Sequence, residues 1–267
     1  MGTVTENKQD VNRLELEQKV KDMYRDVAQD PHGEFHFEMG RVLAERLGYL
    51  PEDLDRIPAE AIESFAGVGY YFHLADLVNG ESVLDLGSGS GTDTFVAAIK
   101  VGTNGNVVGV DMTDEQRAKA EQLRDRDGFN NVTYRKGYIE EVPCKDESID
   151  VVISNGVINL SADKNQVFRE VARVLKPGGR LAISDIVTES QLPEGITCNA
   201  TLWAACIGGA MQQDDYRAAI KKAGLAVEHV QDNSEYQFIS DDAKGATQKY
   251  GVKSISLLAI KRGREAK

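Results

Sequence analysis

Apolar residues recur at helical spacing over 11–30, where Val11, Leu14, Leu16, Val20, Met23, Tyr24 and Val27 are interleaved with charges. That pattern predicts an amphipathic helix, ended by Pro31 and Gly33. A second helical run over 37–47 meets Gly48, a residue suited to a C-terminal cap. Ile57-Pro58-Ala59-Glu60 then opens a third, short helix with proline near its first turn. From Glu81 onward the texture changes to short apolar runs alternating with helical ones. Strands are predicted at 82–86, 106–110, 131–135, 149–154, 180–184, 226–230 and 254–261. Helices are predicted at 92–100, from the capping-box pattern Thr113-Asp114-Glu115-Gln116 to about Arg126, at 164–175 closed by Pro177-Gly178-Gly179, and at 214–223. Strands separated by crossover helices make a mostly parallel, doubly wound α/β sheet covered on both faces. The last two strands show no crossover helix of their own, which predicts a closing antiparallel hairpin. The expected organisation is an N-terminal helical appendage over 1–65, either a lid or a structural cap, followed by an α/β domain over 66–267.

Composition narrows the function. The chain has 267 residues with 31 Lys+Arg against 43 Asp+Glu, a formal net charge of −12. That balance argues against nucleic acid and against anionic membrane surfaces, both of which need a basic face. No stretch is apolar enough for a transmembrane helix, and MGTVTENKQD lacks the apolar region of a secretory signal. Three cysteines, Cys144, Cys198 and Cys206, are too few for a disulfide framework, so a reducing cytoplasm is the expected setting.

The most informative segment is Val83-Leu84-Asp85-Leu86-Gly87-Ser88-Gly89-Ser90-Gly91. Glycines after a buried strand and before a helix let the backbone turn tightly and approach a ligand. The G-x-G-x-G spacing differs from the dinucleotide G-x-G-x-x-G, and Asp85 would repel a phosphate while complementing ammonium or sulfonium charge. Asp111, at the end of Val108-Gly109-Val110, is placed to reach ribose hydroxyls of an adenosine-type ligand. As an isolated residue it would read as a helix cap. Gly137-Tyr138-Ile139-Glu140 follows the third strand where an adenine would lie. Ser154-Asn155-Gly156-Val157-Ile158-Asn159-Leu160 follows the fourth, over the reactive end. All four segments sit at strand C-termini, where open α/β sheets bind ligands.

From about Phe65 to Lys261 the chain resembles a class I S-adenosylmethionine-dependent methyltransferase. VLDLGSGSGTDTFVAA, VGVDMT, SNGVINLSADK and VFREVARVLKPGGRLAISDIV resemble the arsenite methyltransferase group. The resemblance implies a Rossmann-like sheet of seven strands and S-adenosylmethionine as cofactor. It places Asp85, Gly87, Gly89, Gly91, Asp111, Met112, Ile139, Glu140 and Asn155 around that cofactor, with Ser88 and Gly137 in the same loops.

The acceptor is where the chain departs from that group. Arsenite methyltransferases hold trivalent arsenic with thiolates, soft ligands for a soft atom. This chain has Gly156 where their S-N-C-V-I-N-L segment has cysteine, and Ala66-Gly67-Val68-Gly69-Tyr70 where another is usual. Cys206 alone stands where a family thiol is expected. His36 and His73, with His32, Tyr70, Tyr71, Phe72 and Trp203, are candidates for an aromatic acceptor pocket, a histidine there serving as base. Taken singly, each histidine reads more readily as a satisfied cap or surface group. His32 and His36 lack a third ligand, so no metal is predicted. The expected activity is in-line methyl transfer to a small-molecule acceptor. The alternatives are a metalloid methyltransferase using Cys206 and a cofactor-binding module without turnover. An NAD-dependent dehydrogenase is disfavoured by the glycine spacing and Asp85.

Overall fold

The computed structural model describes residues 8–197, 203 and 207–263. Ahead of the sheet run α1 (Lys8–Gln29), α2 (Arg41–Leu47), α3 (Pro51–Leu54), α4 (Ala59–Glu63) and α5 (Phe72–Ala75). Parallel strands β1 (Ser82–Leu86), β2 (Asn106–Asp111), β3 (Val132–Lys136), β4 (Ile149–Asn155) and β5 (Leu175–Thr188) follow. Their crossovers are α6 (Thr92–Val101), α7 (Asp114–Asp127) and α8 (Lys164–Val174). After α9 (Glu194–Thr197), β6 (Met211–Gln212) and α10 (Gln213–Lys222), β7 (Leu225–Asp232) leads through α11 (Asp241–Tyr250) to β8 (Lys253–Lys261). The sheet order is β3-β2-β1-β4-β5-β8-β7, with β8 antiparallel to both neighbours and β6 added parallel on the end of β5.

Side-chain alternation along the central strands makes two cores. Val83, Val107, Val151, Ile153 and Ala182 pack with α6 (Phe95, Val96) and with Leu43, Leu47, Leu54 and Ile62 of the N-terminal helices. The helical segment thus shares its core with the sheet. On the other face Leu84, Leu86, Val152 and Leu181 pack with Phe168 and Val171 of α8 and Tyr216 of α10. The chain winds toward β3 on one side of β1 and toward β5 on the other. The resulting crevice lies at the C-terminal ends of β1 and β4.

The structure departs from the sequence expectations at several element ends, each with a local cause. α2 begins at Arg41, not Phe37, because Gly40 takes φ +88° outside the helical basin. Gly48 does cap α2 in the left-handed conformation. The Thr113 side chain makes no cap bond. Asp111 Oδ1 accepts from the Thr113 backbone N–H instead (2.8 Å), and Gln116 reaches away to the Tyr24 carbonyl (2.8 Å). The antiparallel closing strands are present, yet α11 connects them, started by Ser240 accepting from the Ala243 N–H. α8 gives way to β5 at Leu175, so the Pro177-Gly178-Gly179 turn lies within the long β5.

Phe168 is fully buried and meets Tyr216 edge-on, with centroids 5.2 Å apart. Truncation there leaves a cavity under α8 and α10. Phe168→Ala should lower unfolding stability by about 3–5 kcal/mol, read from urea denaturation. A loss below about 1 kcal/mol would mean that this core face is loosely packed.

Candidate active site

A cavity of about 460 Å³ opens at the C-terminal edge of the sheet, within the usual range of small-ligand sites. All eleven residues anticipated for the cofactor line it. Asp85, Gly87, Ser88, Gly89 and Gly91 come from the end of β1 and its loop, and Asp111 and Met112 from the end of β2. Gly137, Ile139 and Glu140 follow β3, and Asn155 ends β4. The glycine loop takes positive φ at 87, 89 and 91 (+70°, +52°, +101°). A side chain at Gly91 would also run into the Tyr134 hydroxyl and the Phe95 ring.

Each carboxylate in the wall is held differently. Asp111 accepts from the Gly89 N–H (2.9 Å) and the Thr113 N–H (2.8 Å), which ties the glycine loop to the end of β2. Burial raises its carboxyl above the ordinary range, and those backbone donors oppose the rise. Asp85, 2% exposed, accepts from Thr94 Oγ1 (2.6 Å). Burial first, and then the neighbouring Asp93 charge, push it well above the carboxylate range. Asp93 accepts from the Tyr49 hydroxyl (2.5 Å), the Tyr71 hydroxyl (2.7 Å) and the Asn155 amide (3.1 Å). Glu140 accepts from Ser161 Oγ. With Glu17 and Glu141 the wall holds six carboxylates, and no Lys, Arg or His stands among its described residues. Such a donor set suits a ligand bearing positive charge and repels a phosphate.

The sequence did not single out Asp93, nor α1, whose Glu17, Val20 and Tyr24 line the cavity. An acid in the first turn of a helix is commonplace for dipole reasons alone, so Asp93 carried no distinguishing signal. α1 is tied down by Gln116 and by Lys119, which donates to Ser64 Oγ (2.8 Å) and toward the Ala28 carbonyl. Lys21 meets the Tyr138 hydroxyl at 2.5 Å. Trp203 reaches the wall, its indole N–H donating to the Leu160 carbonyl (3.0 Å).

The proposed acceptor histidines lie elsewhere. His32 and His36 are exposed, beyond Phe35 and Phe37, whose rings stack with each other while Phe37 also stacks on Tyr24. His73 is exposed, stacks on Tyr70 at 5.6 Å and pairs with Gln231. None of the three lines the cavity. Cys198 and Cys206 lie outside the described residues. Gly156 (φ +71°) stands against Val68: a Cβ there would lie 3.1 Å from Val68 Cγ1. The two stretches noted for missing thiols are therefore neighbours in space, and their contact is apolar. Among the described residues no group of His, Cys, Asp and Glu could hold a metal ion, and no described helix is long and apolar enough to cross a membrane.

An open, doubly wound sheet with a glycine loop after β1, a carboxylate after β2 and an acid-lined crevice defines an adenosine-ligand α/β domain. Residues 77–224 match the family model described as methyltransferase domain, and the chain belongs to that family. It is 42% identical over 199 residues to the arsenite methyltransferase of Halobacterium salinarum, covering 74% of this chain and 51% of that one. With the human arsenite methyltransferase it shares 46% over 152 residues, 54% of this chain and 40% of that one. The chain spans about half the length of these curated relatives. Among solved structures, an arsenic(III) S-adenosylmethionine methyltransferase from Chlamydomonas reinhardtii superposes with TM-score 0.62 at 29% identity, over 86% of this chain and 76% of that one. Geranyl diphosphate C-methyltransferase from Streptomyces coelicolor superposes with TM-score 0.68 at 15% identity, over 92% of this chain and 97% of that one, a likeness of fold alone.

Beside the cavity, Lys164 is 6% exposed. Its ammonium donates to the Ser161 carbonyl (2.8 Å) and stands 5.8 Å from the Trp203 ring centre. Burial lowers its pKa from 10.5 to about 8 against the pull of Asp185 and Glu140. The unfolded chain therefore holds this proton up to 10.5 and the folded one releases it near 8, so stability should rise with pH between those values. Lys164→Met should remove roughly 2–4 kcal/mol of that rise, measured as the difference between variant and wild-type urea midpoints at several pH values. Parallel pH profiles would show that Lys164 keeps its ordinary pKa.

Proposed function

We propose that the chain transfers a methyl group from S-adenosylmethionine to a small-molecule acceptor. The observation that carries this reading is the acid-walled cavity in which the Asp111 carboxylate and the glycine loop are locked together through the Gly89 N–H. When bound, the cofactor supplies a methyl group on a cationic sulfonium sulfur, open to in-line attack.

The protein's own part is binding, alignment and exclusion of water. Asp111 keeps acceptor capacity beyond its two backbone bonds and can take ribose hydroxyls. Met112 and Ile139 offer apolar surface for a base. Phe65, Val157, Leu160 and Trp203 supply apolar wall around the remaining space, and α1 covers the crevice through Val20 and Tyr24. This supports reading the N-terminal helices as a cover over the cofactor, with α1 rather than the 32–37 stretch in that place. Alignment of two reactants in a dry site is worth up to about 7–11 kcal/mol, so methyl transfer does not require a conspicuous catalytic side chain. With no described basic residue in the wall, proton removal from an acceptor falls to a carboxylate or to solvent.

For the acceptor we favour an organic molecule. Val68 and Gly156 present carbon where soft-metal binding asks for sulfur. The second reading, a metalloid acceptor held through Cys206, is supported by the names of the relatives at 42–46% identity.

Two measurements test these readings. Calorimetry should show S-adenosylhomocysteine binding, weakened by about 1.5–3 kcal/mol in Asp111→Ala through loss of charge-assisted hydrogen bonds. Binding of NADH with no response to either adenosyl ligand would overturn the cofactor. Incubation with S-adenosylmethionine, arsenite and glutathione should yield no methylated arsenic. Multi-turnover arsenite methylation abolished by Cys206→Ser would move the acceptor to the second reading.

A further inference from the structure

The apolar wall given above to the acceptor combines a turn and one indole, and a buried ammonium touches both. Leu160, Ser161 and Ala162 line the cavity from the turn after β4, and Trp203 lines it from the stretch that follows α9. The indole N–H joins the two by donating to the Leu160 carbonyl (3.0 Å). Lys164 does not itself line the cavity. It is 6% exposed, with its ammonium 2.8 Å from the Ser161 carbonyl and 5.8 Å from the centre of the Trp203 ring.

That position is unfavourable for a cation. Lys164 is the first residue of α8, at the positive end of the helix dipole, and it is withdrawn from water. A lysine with no task there would extend its long side chain to solvent. One of its three N–H donors has a hydrogen-bond partner among the described residues, so the aromatic face supplies part of what water would. The carboxylates that face it are Asp185, from β5, and Glu140, from the segment after β3. Both accept from other donors, Asp185 from Tyr216 of α10 and from Asn159, and Glu140 from Ser161 Oγ. No Lys, Arg or His occurs between Arg180 and Arg217, so the stretch that carries Trp203 has no cation of its own. Its indole is confined from another side as well: a Cβ at Gly209 would run into the Asn159 carbonyl and lie 3.3 Å from the ring.

We propose that Lys164 is a positioning residue for the acceptor: its ammonium fastens Trp203 to the 158–161 turn and so sets that wall of the cavity, and loss of its proton releases the indole. This rests on the methyl-transfer reading for what the wall serves, and it adds to the site a residue that lies outside the cavity. Burial brings the ammonium's pKa down to about 8. The clamp is therefore closed below that pH and open above it.

Trp203 is the only tryptophan of the chain, so its fluorescence reads the clamp in the full-length protein. From about pH 6.5 to about pH 9.5, below the ordinary tyrosine range, acrylamide quenching of the wild type should rise with a midpoint near 8. The rise should be about twofold to fivefold, the loss of one cation–π contact expressed as a population ratio. Lys164→Arg keeps a cation throughout this range and should hold the low-pH quenching at every pH. Lys164→Met should show the high-pH quenching at every pH. If Lys164→Met does not fold, as judged by circular dichroism, Lys164→Arg decides against the wild type alone. Wild-type quenching that does not change with pH, or a transition that keeps its midpoint in Lys164→Arg, overturns the assignment. A loss of S-adenosylhomocysteine binding of about tenfold or more in Lys164→Met, read by calorimetry, puts Lys164 at the cofactor end and overturns it too. A wild-type chain that binds no S-adenosylhomocysteine overturns the cofactor reading alone, because the pH transition is read without ligand.

Discussion

One amide side chain holds the crevice in shape. Asn155, at the last residue of β4, accepts the Val68 N–H (2.8 Å) and directs its own N–H groups at the Gly69 carbonyl (3.0 Å), Tyr49 hydroxyl (3.0 Å) and Asp93 (3.1 Å). It therefore joins the central sheet, the 66–71 approach segment, the N-terminal helices and the start of α6 at one point. Leaving such a set of buried partners unmade costs more than making them gains. The 66–71 segment is fastened a second time from the far side, where Ser254 Oγ donates to the Val68 carbonyl (2.5 Å) and Ser256 Oγ to the Tyr70 carbonyl (3.1 Å). Its course along the cavity is thus set by side chains of β4 and β8 together.

That arrangement concentrates electrostatic cost where ligand is to bind. The two cores on either side of the sheet are apolar and densely buried. The crevice instead gathers Asp85, Asp93 and Asp111, all displaced upward by burial. Hydroxyl and backbone donors compensate them only in part. A fourth buried carboxylate, Asp185, is raised by burial in the same way but differs in its place. It takes Tyr216 (2.7 Å), Asn159 (2.6 Å) and the Ile186 N–H (2.9 Å) and lies outside the cavity wall, so it reads as a structural anchor for the 158–161 turn.

What was legible in the sequence follows from which features are local. Buried parallel strands such as Val83–Leu86 announce themselves as apolar runs, and a glycine loop set between a strand and a helix marks a close backbone approach to a ligand. The eleven residues projected around the cofactor all belong to such strand-end segments, and the structure gathers them around one cavity. Long-range features were hidden. α11 carries Asp241, Lys244, Gly245 and Lys249 among few apolar residues, so its periodicity is faint, and only the Ser240 cap marks it. Asp93 looks like any first-turn acid until Tyr49 and Tyr71, 44 and 22 residues earlier, are folded against it. The histidines were attractive by residue type alone, and nothing in their spacing could show that His73 faces Gln231, 158 residues away.

The Asn155 amide also fixes the place where two glycine- and valine-bearing turns meet. Gly156 sits at positive φ directly after Asn155, so the turn that carries the amide also decides what stands at position 156. A side chain there would be strained by its backbone and pressed against Val68. A thiol at 156 would meet a valine, and one at 68 would meet a glycine. As it stands the pair is a close apolar contact, in which a Cβ at 156 would already lie 3.1 Å from Val68 Cγ1.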